Sequence, residues 1–98
     1  MNVVLRPDAE ADVTATYEYY GEADQDLAEQ FIDELDLVLR RLAEFPLSAR
    51  QVQGYGSVRR ALLRRFPFAV FYISRDDEVL VLRCVDCRSA AAGKLPQA

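Results

Sequence analysis

The apolar positions of this chain fall into two regimes, one spaced at three to four residues as in helices and one at two residues as in strands. Asn2–Leu5 is a short β-prone run ended by Arg6-Pro7, and the fixed φ of Pro7 suits the first turn of a helix. Ala9, Val13, Tyr17 and Tyr20 then recur at intervals of four, four and three, which predicts one buried helical face. Asp8, Glu10 and Asp12 place negative charge at the positive end of that helix's dipole. Gly21 is the expected C-cap, and Asp24 or Asp26 the start of a second helix running from about Asp24 to Glu44. Phe31, Leu35, Val38, Leu42 and Phe45 line one side of it, Ala28, Ile32 and Leu39 widen the stripe, and Pro46 ends it. The tight connection makes the pair a helical hairpin, and Pro46 to Ser57 reads as a loop.

After Gly56 the period becomes two. Three strands are predicted at about Val58–Arg65, Phe66–Ser74 and Glu78–Asp86, with Asp76-Asp77 as a tight turn and a bend or bulge at Phe66-Pro67. The element order is β-α-α-β-β-β, an α+β fold. Both faces of the later strands are apolar: Phe66, Phe68, Val70 and Tyr72 alternate with Pro67, Ala69, Phe71 and Ile73, and the last strand behaves alike. Two helices cover one face of a small sheet, so the other needs the C-terminal tail, a curl of the sheet or a separate chain.

With 98 residues, 51% of them apolar, the chain is read as a single domain, 1–98, without a transmembrane-length apolar run or a basic leader, and is expected in the cytoplasm. No histidine is present, which removes histidine triads, His-ligated metals and the usual base near neutral pH. Cys84-Val85-Asp86-Cys87 matches C-x-x-C, but a zinc site needs a second ligand pair, and a regular strand sends these two cysteines to opposite faces. They read as ordinary thiols, and neither cofactor nor metal is expected. Tyr17, Tyr19 and Tyr20 read as packing residues; Tyr55 and Tyr72 lie near arginines and are candidates to hydrogen-bond a phosphate.

Charge is segregated. Residues 1–36 hold eleven acids against Arg6, whereas the remainder holds eleven cations against five acids. Eleven of the twelve cations are arginines, which pair bidentately with carboxylate or phosphate. Arg59, Arg60, Arg64, Arg65, Arg83 and Arg88 lie on or beside strands, and strict alternation puts Arg60 and Arg64 on one face with Arg59 and Arg65 on the other.

The run from Gly56 to Tyr72, GSVRRALLRRFPFAVFY, resembles the RelE/ParE superfamily of bacterial toxins. So do the first strand with its polar-Pro step, the acidic first helix with paired Tyr19-Tyr20, the long second helix closed by Pro46, and a last strand ending near Arg88. The resemblance implies a two-helix hairpin packed on a small antiparallel sheet. It also implies one half of a type II toxin–antitoxin pair, neutralised by a cognate antitoxin that wraps the toxin through apolar and acidic contacts. The Arg-Arg to Phe-Pro-Phe strand and the tyrosine pair resemble the ParE branch, whose members inhibit DNA gyrase by binding. The antitoxin- or target-binding candidates are Arg59, Arg60, Arg64, Arg65, Phe68, Tyr72, Arg83 and Arg88. A RelE-like ribosome-dependent mRNA endonuclease and an inactive antitoxin-binding module are the alternatives. Asp86 stands where many relatives carry histidine, and arginine is not a base, so cleavage would need a proton acceptor such as Tyr72 or Tyr55.

Overall fold

Pro7 opens helix α1 (Pro7–Ala23), where its missing N–H costs nothing, in the computed structural model of the protein, which describes residues 1–87. Strand β1 (Asn2–Leu5) precedes it. Gly21 does not terminate α1. The helix runs on to Ala23, and Asp24, in extended backbone, caps both helices: its N–H donates to the Tyr20 carbonyl, and its carboxylate accepts from Asp26 N at 2.9 Å to start α2 (Gln25–Glu44). A single capping residue is what makes the hairpin tight. At the far end Phe45 leaves helical geometry at φ −130, ψ 74, so it drops out of the predicted stripe and is 56% exposed.

The remaining strands are β2 (Arg50–Gln51), β3 (Arg59–Leu62), β4 (Phe68–Arg75) and β5 (Glu78–Asp86), in the sheet order β1-β5-β4-β3-β2. The sheet is mixed rather than wholly antiparallel, because β1 lies parallel to β5 with Val3 opposite Val79. Period-two patterning marks a strand without giving its direction, and β2, two residues long, is too short to show any period. Asp76, at φ 54, makes the two-residue turn that pairs Arg75 with Glu78. β3 and β4 are shorter than predicted at the end where they meet, since the backbone leaves the ladder from Leu63 to Pro67.

On the helical side of the sheet the core is aromatic. Phe31 from α2 packs edge-to-face on Phe68 with centroids 4.8 Å apart, and Tyr20 and Phe66 complete the group at 5.2 Å from each other. The other side is also sealed. Val58, Ala69, Phe71, Ile73, Leu82 and Val85 form a second buried cluster, with Val52 and Tyr55 of the β2–β3 loop packed against it. That loop turns back on itself through Val52 N to Val58 O at 2.8 Å, with Gly54 and Gly56 at φ 86 and 62, values that suit glycine. The apolar rear face therefore does not require a second chain; a proposed role for the C-terminal tail there falls outside the described residues.

Replacing Phe31 by Ala should lower unfolding free energy by about 3–5 kcal/mol, whereas Leu37→Ala on the exposed side of the same helix should stay within about 0.5 kcal/mol. Urea denaturation of both variants checks this, and equal losses would contradict the core assignment.

Candidate arginine interaction surface

Three of the arginines singled out by sequence are engaged inside the molecule. Arg83 on β5 meets Asp12 of α1 as a fork: Nε donates to Oδ2 at 2.6 Å and Nη2 to Oδ1 at 2.9 Å, and Oδ2 also accepts from Cys84 N at 3.0 Å. The hydrogen bonds to Asp12 raise the Arg83 pKa against the opposing effect of burial. Arg65 donates its backbone N–H to Glu34 Oε1 at 2.7 Å and its Nε to Oε2 at 3.1 Å. Burial pushes the Glu34 carboxyl up, but the amides of Arg65 and Arg64 and the Arg65 guanidinium outweigh it and hold the group below the usual carboxylate value. Arg59 is spent on the turn after α2, donating through Nη1 to the carbonyls of Ala49 at 2.7 Å and Leu47 at 3.3 Å.

Phe68 and Tyr72 lie in the core, 2% and 0% exposed, with Phe68 forming part of the wall of a surface recess beside Tyr19 and Asp86. The Tyr72 hydroxyl donates to the Pro46 carbonyl at 2.8 Å. Burial raises its pKa, against weaker pulls from the Ala49 amide and the Arg59 guanidinium. It is placed as a strut, and a group held protonated in this way is a poor proton acceptor. The Cys84 thiol is pushed up to about 12, mainly by burial with a contribution from Asp12, so it is an inert core residue. Among the described residues no cluster of three metal-ligating side chains occurs, and no helix is long and apolar enough to cross a membrane.

Arg60 and Arg64 are exposed, and their side chains make no ion pair among the described residues. They do not share a face by alternation, since β3 stops at Leu62 and Arg64 sits in the bend beyond it. Arg88 lies outside the described residues. Sequence reasoning missed four further residues. Asp12 and Glu34, read as ordinary helix acids, are the carboxylates that hold Arg83 and Arg65. The signal was available: Asp12 follows Ala9 by three positions and Glu34 follows Phe31 by three, so each acid lies within an apolar stripe. Arg41 and Arg50, not singled out, stand exposed beside Arg60, and both border recesses that Arg60 also lines.

A family model described as the ParE toxin of type II toxin–antitoxin systems, parDE, matches residues 3–90. No curated protein matches the sequence. Among solved structures, a chain described as the chromosomal ParDE TA system from P. aeruginosa superposes with a TM-score of 0.76 at 22% identity, covering 88% of this chain and 95% of the other. At that identity the likeness is one of fold, and it agrees with the strand–helix hairpin–sheet arrangement above.

The Glu34 contacts have a pH signature. Because its native pKa is lowered, the stabilisation is complete above the ordinary glutamate value of about 4.3 and is lost as pH falls through the native value. With Arg65 largely exposed, Glu34→Gln should cost only about 1–2 kcal/mol at pH 7, and the gap between variant and parent should narrow by about pH 3. Urea titrations at the two pH values measure it; a gap independent of pH would refute the ionised clamp. Asp12→Ala, which strands Arg83, should cost more, about 3 kcal/mol.

Proposed function

The chain belongs to the ParE toxin family of type II toxin–antitoxin systems, and we propose that it acts in the cytoplasm by binding and inhibiting DNA gyrase, held in check by a cognate antitoxin. Family membership across residues 3–90 carries the toxin reading. What favours binding over RNA cleavage is the state of Tyr72. Cleavage without histidine needs a base, and this phenol is buried, raised in pKa and already donating to Pro46. Its arginines stabilise negative charge but cannot take a proton.

The contacts available to a macromolecular partner are the exposed cations. Arg59, Arg65 and Arg83 organise the molecule, which leaves Arg60 and Arg64, from the original candidates within the described residues, to face outward. A binding mechanism of this kind needs no cofactor and no metal. It requires shape, a rigid scaffold and a field of one sign at the contact.

Induction of the wild-type protein in a bacterial host should arrest growth, and the purified protein should inhibit gyrase supercoiling without cutting ribosome-bound message. Message cleavage with intact supercoiling would establish the endonuclease alternative, and absence of either effect the inactive module. Changing Arg60 and Arg64 together to Glu should weaken partner binding by more than either single change, most clearly at low salt where screening is least. Unchanged affinity there would exclude both from the interface.

A further inference from the structure

Among the described residues, the sheet contains one cross-strand pair of like charges, Arg50 of β2 opposite Arg60 of β3. Direct partners in an antiparallel ladder point to one face with Cβ atoms about 5 Å apart, and like charges placed there repel. Elsewhere the fold answers its arginines: Arg75 stands opposite Glu78, Arg83 is held by Asp12 and Arg65 by Glu34. Arg50 and Arg60 have no such answer. Both side chains are exposed and make no ion pair among the described residues, and residues 88–98 contain no Asp or Glu that could supply one.

The groups around this pair are donors. A recess of about 120 Å³ between the two arginines is lined by Arg50, Gln51, Val52, Gln53 and Arg60, with no carboxylate. That is the space of about four water molecules, enough for a phosphate group. A second recess, which Arg60 also borders, adds Arg41 and Ser48, again with no carboxylate. Guanidinium, side-chain amide and hydroxyl are the set that contacts the phosphates and sugars of a nucleic acid. Val52 is the one apolar residue lining the smaller recess, so an amphipathic peptide finds little floor there on which to bury a side chain. No aromatic ring lines either recess, so an unpaired base finds no stacking platform. The lining therefore suits the backbone of a duplex. The net charge of −4 does not describe this end of the molecule, since eleven of the sixteen acids fall within residues 1–36.

We propose that the β2–β3 ribbon is a sequence-independent site for the phosphate backbone of duplex DNA, with Arg50 and Arg60 on phosphates, the amides of Gln51 and Gln53 beside them and Arg41 extending the track. Bound phosphates turn the repulsion within the arginine pair into two charge-assisted contacts. Taken with the gyrase reading, on which this last step rests, the site contacts the duplex that gyrase holds.

Fluorescence anisotropy of a labelled duplex of about 20 base pairs, titrated with the full-length protein from about 25 mM salt upward, tests the site. Binding should saturate, and its logarithm should fall against log salt with a slope of about −3, the value for three arginines on phosphates. Arg60→Ala should reduce that slope by about one. Arg50→Glu and Arg60→Glu should each weaken binding about tenfold, whereas Arg75→Glu, an equal charge change on β4 at the turn into β5, should weaken it less than about threefold. Arg50→Glu places opposite charges across the ladder, so its Tm should rise by about 1–4 °C even as binding is lost. A lower Tm would refute the unrelieved repulsion from which the site is argued. Absence of saturable binding by the wild type, or reversals at Arg50 and Arg60 that match Arg75→Glu, would overturn the site. So would tighter binding of a polyglutamate peptide or of a single strand than of the duplex. A gyrase supercoiling assay on the same samples keeps the two readings apart: inhibition without duplex binding refutes the site alone, and duplex binding without inhibition refutes the gyrase reading alone.

Discussion

Each helix sends one carboxylate into the sheet, and those two carboxylates fix how the layers meet. Asp12 of α1 takes the amide of Cys84 and the guanidinium of Arg83, and Glu34 of α2 takes the amide of Arg65 and its guanidinium. A backbone amide and an arginine from the same stretch of chain satisfy several lone pairs of each buried or half-buried acid, which is the condition under which burying a carboxylate is tolerated. The two apolar clusters, one of them centred on the aromatic group around Phe31, supply hydrophobic stabilisation, but apolar contact is non-directional. The two clamps give the helix hairpin its position on the strands, one near the middle of β5 and one at the bend between β3 and β4.

This explains why the fold was more legible than the site. Ala9, Val13 and Tyr20, the α2 stripe and the alternating β4 and β5 positions report burial directly, and burial follows from period alone. Strand direction, the two-residue β2 and the departure of Phe45 from its stripe depend on contacts between segments distant in sequence, which no local pattern carries. The arginines illustrate the same limit more sharply. Arg59, Arg60, Arg64 and Arg65 look equivalent along the chain, yet Arg59 binds carbonyls of the turn after α2, Arg65 binds Glu34, and Arg60 and Arg64 face solvent. Which partner an arginine finds is decided by tertiary placement, and composition gives only the number competing.

The doubly apolar strands led to a similar displacement. Their second face asked for a cover, and the chain supplies Val52, Tyr55 and Val58 from the loop between β2 and β3. Among the described residues the outer edge of β3 is unpaired at Ala61 and Leu62, where the ladder with β2 ends after two residues. It escaped notice because Leu37 and Leu62 are isolated leucines among charged neighbours, which by itself is ordinary.

The segregation of charge along the chain then takes on a spatial meaning. Much of the acidic first third is in α1 and the start of α2, and two of its acids are consumed in neutralising arginines of the basic remainder. Along α2 itself the sign reverses, from Asp33, Glu34 and Asp36 to Arg40 and Arg41, with Arg40 answering Asp36 at 2.8 Å. Asp33 and Arg41 are the members of this series without an ion pair among the described residues, and Arg41 lines a recess together with Arg60. The charge along α2 therefore grows more positive toward its C-terminal end.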